Sequence, residues 1–274
     1  MKIRFFCPRW GSEHLSWDEF AGRVADVGFD GVEFNFPLGD KPEVDAMTEA
    51  LDRRGLELIA IHGDTVTPDF AAHKVEFEVR LNHIASARPL FINSHTGRDW
   101  FSISQNRELI AQAHRIAAST GIAVYHETHR SKFSFSAAAT AEYLRADPEL
   151  RIVADFSHWC NVSESLLTDQ RESVSLAIER TAHIHARVGH PQGPQVSDPR
   201  APEWAESMDA HLGWWDSIVA LHRAHRTSAL TVTPEFGPQP YMPTIPYTQQ
   251  PVSSQWGINV YMMELLRSRW EGDF

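Results

Sequence analysis

Cysteine is scarce in this chain: Cys7 and Cys160 are the only two among 274 residues. Two thiols cannot form a disulfide framework, which points to a reducing compartment. No run approaches the roughly 18 consecutive apolar residues of a membrane span. The opening MKIRFFCPRWG lacks the long apolar centre and cleavage site of a secretory leader. The cytoplasm is therefore the expected location. Basic charge is also in short supply. Lys and Arg number 25 against 36 Asp and Glu, a net charge of −11, which disfavours a nucleic-acid partner. No G-x-G-x-x-G turn follows the first apolar run, which counts against a dinucleotide-binding sheet. No low-complexity tract or linker divides the chain.

What is present is a regular alternation. Short apolar runs, predicted as strands, cover residues 2–7, 31–34, 56–61, 90–93, 122–127, 152–155, 183–188 and 229–235. Helical patterns fall between and after them, at 17–27, 42–54, 70–87, 107–119, 137–146, 164–179, 203–225 and 254–270. Ser16 and Gly28 bracket the first helix as caps, and Pro42 and Gly55 the second. Eight strands alternating with eight helices predict an α/β fold, a single (β/α)8 TIM barrel spanning 1–274. Two long connections rich in proline and glutamine, 189–202 and 236–253, are expected over the C-terminal face of that barrel.

Fifteen histidines are the unusual count. The C-terminal strand ends carry Glu33, His62, Glu127, Asp155, His185 and Glu235, with His95 just beyond the fourth strand. An ionisable residue at nearly every strand end is not a packing pattern, because buried carboxylates need a partner or a metal. Glu127, Asp155, His185 and Glu235 are separated by 28, 30 and 50 residues, which places them on four successive strands. Three carboxylates and one imidazole suit a single divalent cation, Mn2+ first, with Mg2+, Co2+ or Zn2+ possible. His183 and His185 share one side of their strand by its period of two. His185 is taken as the ligand because it stands nearer the C-terminal end. Any one of these residues alone is as well explained by a cap, an ion pair or a core histidine. Glu33 is expected to pair with Arg9 across neighbouring strand ends. Trp10, Trp100, Trp159 and Trp204 lie near strand ends or long loops, where an aromatic face serves a sugar ring or packing equally well.

The segments YHETHR (125–130), VADFSHW (153–159), HIHARVGH (183–190) and TPEFGP (233–238) resemble the xylose-isomerase-like TIM barrel superfamily. GFDGVEF (28–34) and NSHTGRD (93–99) fit the same resemblance. It implies metal ligation by Glu127, Asp155, His185 and Glu235. It also implies substrate contacts from His158 and Arg187, with His95 and His62 as further candidates at the same mouth. The implied activity is a metal-dependent sugar isomerase or epimerase. Glu127 and Glu235 would be catalytic, moving a proton next to a carbonyl through a metal-stabilised enediolate. The small-molecule partner is a sugar or sugar derivative, and the resemblance also implies a homo-oligomer. Ketose 3-epimerases carry a further glutamate shortly after the first, where this chain has Thr128-His129-Arg130-Ser131-Lys132-Phe133. That departure keeps open a lyase or dehydratase acting on a keto-sugar or keto-inositol, alone or as subunit of a sugar-cleaving complex. An endonuclease-IV-like nuclease would need three metal ions, for which Asp209 and His211 offer a D-x-H pair. That pair falls in a helical pattern with a solvent-facing place open to it. A non-catalytic sugar-binding barrel is the remaining alternative.

Overall fold

The computed structural model describes residues 1–271; residues 272–274, the end of the expected 1–274 domain, lie outside the described residues. The strands are β1 Lys2–Pro8, β2 Gly31–Asn35, β3 Glu57–His62, β4 Ile92–Ser94, β5 Val124–Glu127, β6 Ile152–Ala154, β7 Thr181–His185 and β8 Ala229–Thr233. They close into one barrel in chain order. Each neighbouring pair is parallel, and β1 meets β8 along Lys2 to Phe5. The predicted (β/α)8 barrel is therefore the observed one.

The helices are α1 Trp17–Asp26, α2 Lys41–Asp52, α3 Phe70–Ser86, α4 Ile103–Thr120, α5 Ala137–Ala146, α6 Phe156–Val162, α7 Arg171–Arg180, α8 Ala205–Ala224 and α9 Gln255–Glu271. Ser16 caps α1 through a reciprocal pairing with Glu19. The same device at Ser102 and Gln105 starts α4 at Ile103, earlier than the predicted residue 107. The predicted helix 164–179 is the larger correction. Glu164 and Leu167 adopt φ of 48° and 58°, a left-handed conformation that interrupts a helix. The helix there begins only at Arg171, and a separate short helix, α6, opens at Phe156.

Strand parity separates two cores. Phe5 and Cys7 belong to the large core, and Phe5 stacks on Trp270 of α9 at 6.5 Å. Phe6, of opposite parity, joins Ile59, Phe91 and Val153 in a smaller cluster that fills the barrel interior. Gly31 on β2 borders that cluster. A Cβ there would lie 2.3 Å from the Glu57 carbonyl oxygen and 2.5 Å from the Phe6 ring. Glu33, two residues on, points to the same interior, one layer nearer the mouth.

The two long loops are tied to each other above the strand ends. Gln195 donates to the Gly237 carbonyl at 3.1 Å and accepts from its N–H at 2.8 Å. Ser253 donates to Asp198 at 2.6 Å. No helix among the described residues is long and apolar enough to cross a membrane.

Two glycines make the packing testable. Gly31→Ala overpacks the barrel interior and should cost about 2–3 kcal/mol. Gly213→Ala lies in α8 with nothing within 4 Å of the new methyl, and should gain roughly 0.5–1 kcal/mol of helix propensity. Urea unfolding of both variants checks the pair. A Gly31→Ala midpoint equal to the parent's contradicts the packing described.

Candidate metal centre and active site

Glu127 ends β5, Asp155 follows β6, His185 ends β7 and Glu235 stands two residues beyond β8. One ligand atom from each lies within 4.8 Å of the others, and all four residues are buried. Asp155 is placed twice over. It caps α6, accepting from the Ser157 N–H at 3.1 Å, and its second oxygen accepts from Arg187. His185 Nδ1 faces Glu235 Oε2 at 3.0 Å and Glu127 Oε2 at 3.6 Å. Both His185 Nδ1 and Glu235 Oε2 are buried without a hydrogen-bond partner. Four ligand atoms of this chemistry gathered within 4.8 Å fit a divalent cation. Arg187 Nη1 approaches the same Glu235 oxygen at 3.4 Å.

The other nitrogen of His185 is fully engaged. Nε2 lies 3.0 and 3.1 Å from the two oxygens of Glu33. The expected Glu33–Arg9 ion pair is not formed. The Arg9 guanidinium donates instead to the Leu15 carbonyl at 2.7 Å and packs over Trp17 and Phe20. The physical reason is strand parity: Glu33 points into the barrel, while Arg9, past Pro8, turns toward α1.

Above the cluster opens a cavity of about 380 Å³, lined among others by Glu127, Glu235, Arg187, His95, His129, Trp10 and Tyr241. Two of the four predicted substrate contacts border it. His95 hydrogen-bonds Glu127 Oε2 through Nε2 at 2.9 Å. Arg187 reaches Asp155 and, at 3.4 Å, Glu235, with its guanidinium over the Tyr241 ring at 4.8 Å. The other two do not border it. His62 spends both ring nitrogens inside the wall, on Ser94 at 3.0 Å and Thr65 at 2.8 Å. His158 is fully buried beside His129, with ring centroids 4.0 Å apart, and its Nε2 accepts from Arg187 at 2.8 Å.

His129, not His158, is thus the imidazole on the cavity wall, and the sequence reading missed it. The signal was available, since His129 stands two residues after Glu127 and shares its parity. Tyr241 was also missed, because a proline-rich loop has no period from which to place it. Of the four tryptophans, Trp10 borders the cavity. Trp159 is core, donating to the Ser134 carbonyl at 2.8 Å, and Trp100 is 60% exposed. His211 does not face solvent. It donates to the Ser207 carbonyl at 2.8 Å and accepts from the Gly189 N–H at 3.2 Å. Both its nitrogens are used, so the D-x-H pair offers no third metal site.

The sequence profile of the xylose isomerase-like TIM barrel matches residues 21–212. The chain belongs to this family. No curated protein sequence matches it. Among solved structures, 3-keto-D-glucoside 4-epimerase from E. coli aligns at TM-score 0.62 and 15% identity, over 97% of this chain and 100% of that one. D-allulose 3-epimerase from Methylomonas sp. aligns at 0.63 and 14%, over 98% of each chain. A probable 3-DHS dehydratase from Bacillus anthracis aligns at 0.60 and 18%, over 98% and 100%. At these identities the likeness is one of fold, and xylose isomerase-like barrels with different reactions share it.

Protonation follows from burial and neighbours. Burial opposes ionisation of Glu127, but His95 and His185 beside it hold its carboxyl well below the usual range. Burial likewise opposes a charge on His185, and Glu235, Glu33 and Glu127 together overcome it, raising the imidazole well above its ordinary value. Asp155 is pushed up to about 6 by burial, against the pull of Arg187 and with the help of Glu235 and Glu127. A cation must therefore displace a proton from His185 near neutral pH, and a second from Asp155 below about pH 6. Mn2+ affinity should accordingly rise with pH, about tenfold per unit above pH 6 and more steeply below it. Isothermal titration from pH 5 to 8 measures this. A flat profile contradicts the proton assignments.

Proposed function

We propose that the chain is a divalent-metal-dependent sugar isomerase or epimerase that works by moving a proton next to a carbonyl. The observation that carries this is the pair Glu127 and Glu235. Both carboxylates border the cavity, and both sit against the same imidazole edge of His185. Glu127, Asp155, His185 and Glu235 would hold the ion, Mn2+ by preference. Bound there, a divalent ion supplies Lewis-acid polarisation of a substrate carbonyl.

The remaining work falls to the side chains. β5 and β8 stand three places apart around the ring. Glu127 and Glu235 can therefore reach a bound sugar from different sides, one taking a proton and the other returning it. His95, in hydrogen-bond contact with Glu127, can hold the abstracted proton and restore the base. Arg187 is kept between Asp155 and Glu235 and under Tyr241. It keeps the carboxylates apart and can donate to a substrate oxygen. Trp10 and Tyr241, ring centroids 5.0 Å apart, give the wall an apolar face for a sugar ring.

His129 supports a second reading, a lyase or dehydratase. Burial keeps the His129 imidazole neutral, and its Nδ1 donates to the Arg130 carbonyl, so its other nitrogen is a base near Glu127 that can take the proton a β-elimination removes. The two readings share their first step and differ in product.

The test is solvent exchange. Free ketoses, keto-inositols and sugar acids are incubated with the protein and Mn2+ in deuterium oxide and followed by proton NMR. The proposal expects deuterium at the carbon beside the carbonyl, with Glu127→Gln and Glu235→Gln each slower by about 10²–10⁴-fold. Loss of a hydroxyl from the product selects the dehydratase. Absence of exchange with every compound, as a non-catalytic barrel would give, or exchange by both variants at the parent rate, contradicts the proposal.

A further inference from the structure

Beside the proposed metal ligands stands a set of buried residues that the chemistry above does not use: Glu33 on β2, which also borders the cavity, Asn93 on β4 and His183 on β7. Glu33 is 1% exposed, and Asn93 and His183 are fully buried. A carboxylate at this depth needs a reason.

We propose that Glu33 is the positioning residue of the centre. It fixes His185 with Nε2 donating to Glu33 and Nδ1 turned toward Glu127, Asp155 and Glu235, the nitrogen a cation would claim by displacing its proton. The inference rests on the metal-dependent reading of those residues and adds Glu33 to it.

The geometry leaves His185 one role for each nitrogen. Both Glu33 oxygens lie within 3.1 Å of Nε2. An ionised carboxylate only accepts, so Nε2 must donate. Both Glu33 oxygens also face N–H groups of Asn93 and His183 and so act as acceptors. Asn93 Nδ2 also approaches His185 Nε2, at 3.3 Å. Its two protons, however, have nearer acceptors: Glu33 Oε1 at 3.0 Å and Glu127 Oε2 at 2.8 Å. Asn93 therefore links the lower carboxylate to the upper one and leaves Nε2 to Glu33.

Glu33 is itself held from below. His183 Nε2 lies 3.4 Å from Glu33 Oε2, and the His183 ring is fixed by Thr231 at 2.7 Å and Thr233 at 3.1 Å. With His185 Nε2 engaged by Glu33, His185 Nδ1 is the nitrogen that faces the carboxylate cluster, 3.0 Å from Glu235. A carboxylate accepting from the far nitrogen of a ligating imidazole fixes its tautomer and raises its basicity, and removing it typically costs 10–100-fold in metal affinity.

A double-mutant cycle separates this role from a merely structural one. Mn2+ binding is measured for the parent, Glu33→Gln, His185→Ala and the double variant, through the paramagnetic resonance signal of free Mn2+, which also covers weak binding. Glu33→Gln keeps the side-chain volume. It should weaken binding 10–100-fold with an unchanged circular dichroism spectrum and a closely similar unfolding midpoint. In the His185→Ala background the same change should cost less than about twofold, because Glu33 acts through that ring. If Glu33→Gln does not fold, Glu33→Asp, which keeps the charge but withdraws it from Nε2, takes its place in the cycle. Parent-like binding by the Glu33 variant, or an equal loss with and without His185, overturns the proposal. A parent that binds no Mn2+ overturns the metal reading as well. A parent that binds while Glu33 proves silent overturns this inference alone.

Discussion

Four carboxylates, those of Glu33, Glu127, Asp155 and Glu235, are buried around one imidazole and one guanidinium at the mouth of the barrel. Charges removed from water cost several kcal/mol each unless each finds a partner of good geometry. The surroundings answer that constraint residue by residue. Arg187 reaches between Asp155 and Glu235, His185 lies between Glu33 and Glu235, and Asn93 gives its two amide protons to Glu33 and Glu127. Two cationic groups, Arg187 and His185, stand against the four carboxylates. The residual deficit is one of positive charge, and it sits under the floor of the cavity. In the function proposed, a cation would answer it, and Glu127 and Glu235 would serve as bases to a substrate lying above.

The fold supplies this arrangement cheaply. Parallel strands of a closed barrel bring their C-terminal ends to one mouth, so residues far apart in sequence become neighbours without long-range loops. The strand period then stacks functional layers. On β7, His183 lies in the lower layer and His185 in the upper, and on β2 Gly31 leaves room for Phe6 while Glu33 rises beneath His185. The long loops complete the mouth. The Gln195–Gly237 and Asp198–Ser253 contacts tie them together, and Tyr241 from the second loop covers Arg187.

Much of this was readable from the sequence, for a definite reason. Apolar runs of parallel strands and caps such as Ser16 are local signals, and the eight strands fall within a few residues of where those signals put them. The four candidate ligands were equally readable, because strand-end position alone brings them to one mouth, and the structure gathers them. Errors arose where tertiary contacts decide. The break at Glu164 and Leu167 is a backbone conformation with no composition signal. Glu33 looked like a partner for Arg9 because neighbouring strand ends are close, but parity sends the two side chains to different environments. His62 and His158 carry the right chemistry at the right ends, yet Ser94, Thr65 and Arg187 engage them away from the cavity. The place of Tyr241 depends on a loop path that periodicity does not encode, whereas that of His129 follows the parity of Glu127.

The account turns on where a cation sits. Crystals grown with MnCl2 and measured at the manganese absorption edge would locate it directly. The account predicts one strong anomalous peak, bounded by Glu127, Asp155, His185 Nδ1 and Glu235, with Glu33 still bonded to His185 Nε2. Two other groups have ligand atoms close enough to compete, Glu33 with His183 and His185, and His95 with Glu127 and His129. A peak at either of these instead, or no peak in a protein saturated with Mn2+, would contradict it.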